Sequence, residues 1–469
     1  MCFGASVLLR KASALKRIDV RYGPQNAKKR QGAKEHFMII KKLLTALLIV
    51  LLSVMIGTIA MIGIYQLPTK MMFNNIKKSI SLYQAEGLYP NWAGREVSAQ
   101  LDNFTDAIML GTVIYPGSSS TIRDAMLNSR FSYKKSKSVE SLISQINGAK
   151  KDRMISHYAR YWHGYLVVLK PVTMFLDISY IRLLNALLQI IVAACLLMLI
   201  AEYFGKGYGF SFFLAYLLMN PVSLAMSFQF STSYYVLMLV SLVFLRKKDY
   251  FMEKQKFIYL FLISGILTAF FDLLTYPIAT LGIPLVLLLV ALNQNQKLKN
   301  FIDAFKIISL SGIFWGIGYA GMHLGKWLMA WMLTGYNVMS EAFTQLQYRM
   351  SYTTMGKEGS DIINPIKAIS KNFQVVLHEP IFAVLLIVLI VSLWKLYKLS
   401  KMEKYQNDRV LKLALGLVML FPFIWYTLLC NHSFVHRYFT YRSLSVFVFA
   451  VGSIIATSFL EYQNKDFSK

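Results

Sequence analysis

Long uncharged stretches interrupt this sequence and limit what it can fold into. The first, KLLTALLIVLLSVMIGTIAMIGIY at residues 42–65, carries no charge after Lys42. A bilayer core takes about 20 helical residues to cross. Inside it each backbone N–H and C=O must find a partner within the protein, so an apolar run of this length reads as a helix. Comparable runs follow at NALLQIIVAACLLMLIAEYF, from FSFFLAYLLM to about residue 226, at YVLMLVSLVFL, FIYLFLISGILTAFF and IATLGIPLVLLLVAL. Others lie at residues 305–333, IFAVLLIVLIVSLW, VLKLALGLVMLFPFIWYTLL and SLSVFVFAVGSIIATSFL. The pattern predicts an all-α polytopic membrane protein with about ten transmembrane helices, in place of the roughly three soluble domains its length would allow. Composition agrees: 56% of residues are hydrophobic, 16% are charged and mean hydropathy is +0.47, whereas soluble domains are about a quarter charged.

Fifty Lys and Arg stand against 23 acids, a formal charge of +27. In a soluble chain that excess would suggest nucleic acid. Here the bases flank apolar runs, as in Lys41–Lys42, RKKDYFMEKQK, NQNQKLKN and KLYKLSKMEKYQNDR. Such connectors are expected on the cytoplasmic side, against anionic membrane lipid, and no nucleic-acid partner is expected. Both termini then come out cytoplasmic. An outer loop at 66–177, a second at 334–378, the turn at 272–277 and the loop at 431–442 come out on the other face. Residues 1–37 read as a disordered basic tail or as sequence ahead of a true start at Met38, with one membrane domain over 38–465. Cys2, Cys195 and Cys430 are too scattered for a disulfide or metal framework. No internal repeat is visible.

Chemistry-bearing residues concentrate in the outer segments. In LDNFTDAIML, a helix from 102 would place Asp102, Asp106, Met109 and Val113 on one face, with Leu101, Phe104, Ile108 and Tyr115 towards the other. That predicts an interfacial amphipathic helix with its acids turned from lipid. Such acids can serve as general base or hold a divalent cation. Equally, Asp102 can be a helix N-cap and Asp106 a first-turn acid. HYARYWHGYLVVLKP offers Arg160, Trp162, His163 and Lys170 for sugar stacking and phosphate binding, or as an aromatic belt. Asp272, at a span end, needs a partner such as Arg437 or Arg442, or contacts a substrate hydroxyl. NHSFVHRYFTYR crowds His432, His436, Arg437 and Arg442 into a loop suited to phosphate. Its HSFVH lacks the glutamate of a zinc-protease helix.

The arrangement of one span followed by a long outer loop with early acids resembles the C-type integral-membrane glycosyltransferase superfamily. DNFTDAIML, RYWHGYLVVLKP, FDLLTYP and HRYFTYR are similar to multispan Gram-positive members. The resemblance covers the chain from about residue 38. It implies inverting transfer of a sugar from a polyprenyl-phosphate donor to a glycan or lipid acceptor of the cell envelope, at the outer face of a bacterial plasma membrane. Asp106, with Asp102 as second candidate, would be the base. Arg437, Arg442 and Lys170 would receive the departing phosphate. The D-x-x-x-D spacing departs from the adjacent or alternate acids of many members, so both acids stay candidates and a metal is not obligatory. A polysaccharide polymerase or ligase, and a lipid or polysaccharide transporter, are the alternatives. The polymerase usually has its long outer loop late in the chain. The transporter would put polar residues inside spans and show repeat symmetry.

Overall fold

The computed structural model describes residues 24–94, 96–356, 359–377 and 408–466, with isolated helical positions between 383 and 394. The chain divides into two units, residues 1–49 and 50–469, at a point inside the helix α1 (Pro24–Tyr65). The described residues are almost wholly helical, with two short antiparallel hairpins. Among the described residues, six helices are long and apolar enough to cross a membrane. A seventh is added if the pair Lys248–Gln255 and Phe257–Phe271, bent by 112°, counts as one span. This is the make-up of an all-α membrane protein. The basic connector after residue 394 and most of the run at 381–394 lie outside the described residues, as does most of the N-terminal tail.

Several expected spans take a shorter form. The run through residue 226 is split by Asn220, whose φ of +55 turns the chain before Pro221. Asn220 then caps Pro221–Met226 through a bond from the Ser223 N–H at 3.1 Å. The run at 278–292 forms a 16-residue helix, Ala279–Gln294, buried from Ala279 through Leu292. A helix apolar all round belongs in the middle of a bundle. The run at 305–333 is one helix of 34 residues, Phe301–Thr334, about 51 Å long.

Four helices set the positions of Asp102, Asp106, Arg182 and Asp272: α2 (Asn103–Val113), α3 (Ile178–Phe204), α4 (Phe228–Arg246) and α5 (Phe257–Phe271). With α6 (Ala279–Gln294) and α7 (Phe301–Thr334) they form much of the described bundle. Burial sorts them: 78% of the apolar window of α4 is covered by protein, against 28% in α3. α5 and α7 meet backbone to backbone. A Cβ on Gly265 would stand 2.1 Å from the Trp315 carbonyl oxygen, and one on Gly318 2.1 Å from that of Leu262. Small residues allow such contact in spans, where packing rather than the hydrophobic effect joins helices.

The segment from 66 to 177 folds as short helices around the hairpin β1 (Arg130–Tyr133) and β2 (Arg153–Ser156), with Arg130 opposite Ser156. It is fastened to the second half of α7. Trp162 donates its indole N–H to the Met322 carbonyl (2.7 Å), and Trp327 donates to that of Arg160 (2.9 Å). The wholly buried Lys326 ammonium donates to the Met126 carbonyl at 2.8 Å.

The interfacial amphipathic helix expected at 102–115 does not form; the helix there is enclosed by protein. Asn103 and every residue of α2 from Asp106 to Val113 are buried, and α2 packs on the helix Ser138–Ile146 and on β1. Its acids face protein, not water.

Replacing Gly265 or Gly318 with Leu should destabilise the protein by about 1–3 kcal/mol or more, because the obstacle is backbone. Thermal unfolding in detergent measures this. Gly312→Ala is the matched control in α7, since nothing lies within 4 Å of its added Cβ.

Candidate functional site

α4 begins at Phe228 without a cap of its own. The Ser227 side chain makes no capping bond to it and instead accepts the backbone N–H of Asp102 at 3.1 Å. The first N–H groups of a helix have no acceptor within it. Asp106 supplies one from another part of the chain. Its two carboxylate oxygens accept the N–H groups of Phe228 (3.1 Å) and Gln229 (3.3 Å). Each of the two segments therefore satisfies a backbone donor of the other.

Asp102 caps its own helix. It accepts the Thr105 N–H at 3.1 Å and the Thr105 hydroxyl at 2.8 Å. Its Oδ2 also receives the Tyr438 hydroxyl at 3.4 Å. Tyr438 lies edge-on to Tyr89, which is 47% exposed. Asp102 and Asp106 are both buried, but Asp102 is in contact with Tyr438, which is half-buried and packs on the exposed Tyr89.

Burial pushes the Asp102 carboxyl up to about 6, with the Thr105 bonds acting against it. Burial pushes Asp106 up to about 8. The Arg182 guanidinium and the two N–H groups of α4 oppose that rise, and the charge of Asp102 adds to it. Arg182 is held by Glu86 at 2.8 Å and by the Asn103 side-chain oxygen at 3.0 Å.

Arg442 belongs to the same assembly but presents no surface to a ligand. It is wholly buried, donates to the carbonyls of Met219 (2.8 Å) and Tyr438 (3.0 Å), and lies 4.3 Å from the centre of the Phe230 ring. It braces Tyr438. Arg437 is half-buried and its side chain has, among the described residues, no hydrogen bond or ion pair. His436 stacks on Phe439 at 5.2 Å.

Asp272 is buried, and no arginine among the described residues answers it. It accepts the N–H and hydroxyl of Thr275 and the Thr232 hydroxyl. The expected Arg437 or Arg442 partner is replaced by hydroxyls close by, which let a buried acid keep hydrogen bonds without a counter-charge.

The residues of 157–171 do not join Asp102. Arg160 pairs with Glu341 at 2.6 Å. Trp162 is enclosed, with its indole N–H committed to Met322. His163 is enclosed between the Tyr165 hydroxyl (2.7 Å) and the Tyr158 carbonyl (2.9 Å), and burial holds its imidazole down at about 3. The Lys170 ammonium lies over the Tyr65 ring at 4.5 Å. Among the described residues, no three His, Cys, Asp or Glu side chains gather as a metal site.

The chain matches no family model, no curated protein and no solved structure. Sequence reasoning missed Arg182, Glu86, Ser227 and Arg349. Only Arg182 had a signal, a charge at the head of the apolar run IRLLNALLQ.

Asp106 has a folded pKa above the unfolded value of about 3.9. Between the two, the native protein keeps a proton that the unfolded chain releases. That contribution to stability is complete below the unfolded value and is lost as pH rises towards about 8. The unfolding temperature should fall from about pH 5 to about pH 8, and Asp106→Asn should flatten that slope. Asp106→Ala, which leaves the α4 N–H groups bare, should lower stability by about 1–2 kcal/mol.

Proposed function

We propose that the protein is a membrane glycosyltransferase that moves a sugar from a polyprenyl-phosphate donor to a glycan or lipid acceptor. One observation carries the reading. A carboxylate of the first polar segment meets the phenol of Tyr438, from the aromatic and basic segment near the C-terminus, next in the chain to Arg437, whose side chain has no ion pair among the described residues. Base, proton conduit and cation are the groups that such a transfer requires.

Geometry favours Asp102 over Asp106 as base. Both acids have hydrogen bonds at each oxygen, but those of Asp106 hold the start of α4, which makes it a positioning residue, while Asp102 also meets the Tyr438 hydroxyl. In the step proposed, the acceptor hydroxyl passes its proton through the Tyr438 hydroxyl to Asp102. The acceptor oxygen bonds to the anomeric carbon. The bond from that carbon to the phosphate oxygen breaks, and polyprenyl phosphate leaves with its charge met by Arg437. The reading includes about ten crossings of a bacterial plasma membrane, with both chain ends cytoplasmic and the site on the outer face.

The test is purified protein in lipid nanodiscs with polyprenyl-phosphate sugars and candidate acceptors, followed by mass spectrometry of the lipids. Free polyprenyl phosphate that appears only with acceptor is the expected result. Oligosaccharide chains built on lipid pyrophosphate would mean a polymerase. In vesicles, passage of lipid without bond cleavage would mean a transporter. Asp102→Asn should reduce transfer by at least about a hundredfold, as expected for loss of a general base. Transfer should rise with pH around the Asp102 value of about 6, since the base must be ionised. A midpoint near the Asp106 value of about 8 would move the role to Asp106.

A further inference from the structure

The helix Val338–Met350 brings Arg349 against the segment 431–442. Its Nη1 donates to Nδ1 of His432, whose Nε2 donates to the Leu274 carbonyl at 2.7 Å. This fixes His432 as a neutral imidazole with its lone pair towards the guanidinium. Burial first, then the Arg349 charge, holds His432 well below the usual histidine range. An arginine bonded to a neutral ring keeps its full charge. No carboxylate among the described residues pairs with Arg349, and its Nε is buried without a hydrogen-bond partner.

Neighbouring groups extend the patch. The His436 ring lies 4.8 Å from that of His432, and stacking on Phe439 at an angle of 14° sets its plane. Arg437 is next in the chain, without a described partner. Leu274, which receives the His432 bond, has a φ of +68. A branched residue in the left-handed region costs about 1–2 kcal/mol and persists where its surroundings impose it. Asp272 holds one side of that turn and His432 the other. The guanidinium is thus preorganised, half-buried and without a counter-ion among the described residues. A guanidinium fork fits the oxygens of a phosphate.

We propose that Arg349, oriented by His432 and joined by His436 and Arg437, forms an oxyanion site that takes a phosphate group. The site adjoins the Asp102 carboxylate, because Tyr438 lies edge-on to His436 at 6.1 Å while its hydroxyl reaches Asp102. Its identification as the seat of the donor phosphate rests on the glycosyl-transfer reading, whereas anion binding itself does not.

Binding, measured without turnover, keeps the two apart. Protein in neutral phosphatidylcholine nanodiscs is titrated with inorganic phosphate, with a short-chain polyprenyl monophosphate and with the matching polyprenol. Arg349→Gln should weaken binding of both phosphates about tenfold or more, the loss of one charge-assisted contact, and leave polyprenol unchanged. Arg349→Lys should recover only part, since an ammonium lacks the planar fork. His432→Gln should give a smaller loss. Tighter binding of the polyprenyl monophosphate than of inorganic phosphate assigns the site to a lipid headgroup, and equal binding assigns it to a free phosphate. If Arg349→Gln does not fold by its thermal transition, Arg437→Gln replaces it, since that residue supports no described contact. Wild-type affinity in the folded variants, or no phosphate binding by the native protein, overturns the site. Phosphate binding without any transfer would leave the site standing and remove the transfer reading.

Discussion

Two backbone N–H groups at the head of α4 have no acceptor in their own helix, and Asp106 provides it from 122 and 123 residues away. α4 is the most covered of the described helices long enough to cross a membrane, so water cannot do that work. The arrangement is mutual, since Ser227 accepts the Asp102 N–H. Other polar groups gather at the same end of the helix. Thr232 donates to Asp272, and Tyr276 donates to the Phe230 carbonyl at 2.5 Å. The positive end of a helix dipole attracts acids, and the attraction is stronger where solvent is excluded. Carboxyl groups from two distant stretches of chain converge there, Asp106 on the free N–H groups and Asp272 on the Thr232 hydroxyl.

Membrane character and the helical class are legible in the apolar runs, because their length alone answers the bilayer constraint. The burial of α2 is not. A 3.6-residue period shows that Asp102, Asp106, Met109 and Val113 share a face, but not what covers it. The covering elements, the helix Ser138–Ile146 and the hairpin, are ordinary amphipathic pieces whose placement is tertiary. Asp102 as an N-cap was readable, because a cap is a local bond, here to Thr105 three residues on. The partner of Asp272 was local too, in the D-x-x-T of DLLT, whereas charge reasoning looked to a distant arginine. Arg182 was harder. Its counter-ion Glu86 stands 96 residues earlier, and nothing in either stretch points to the other.

The segment 431–442 divides its cations between structure and surface, and composition could not make that division. Arg442 spends two of its donors on backbone carbonyls and covers the Phe230 ring, so it behaves as a brace. A buried guanidinium is tolerated where carbonyls and aromatic faces replace its water. Arg437, five residues earlier in sequence, has none of these contacts. The difference follows from local structure. The four-residue helix Arg437–Thr440 and the turn after it direct Arg442 inward against Met219, while Arg437 begins that helix.

Tyr438 joins these two outcomes. Its hydroxyl reaches Asp102 and its carbonyl receives Arg442. The brace therefore fixes the backbone from which the phenol is directed at the carboxylate. Asp106 fixes the other partner, since it docks α2 onto α4 and so sets where Asp102 begins its helix. The carboxylate with the lower of the two raised pKa values, about 6, is also the one in contact with a partly exposed aromatic side chain. Both acids are buried; the bonds to α4 suit Asp106 to holding the scaffold, and the bond from the half-buried Tyr438 suits Asp102 to exchanging a proton through that phenol. That separation of duties between two acids four residues apart follows from their partners, the start of α4 for Asp106 and the phenol of Tyr438 for Asp102.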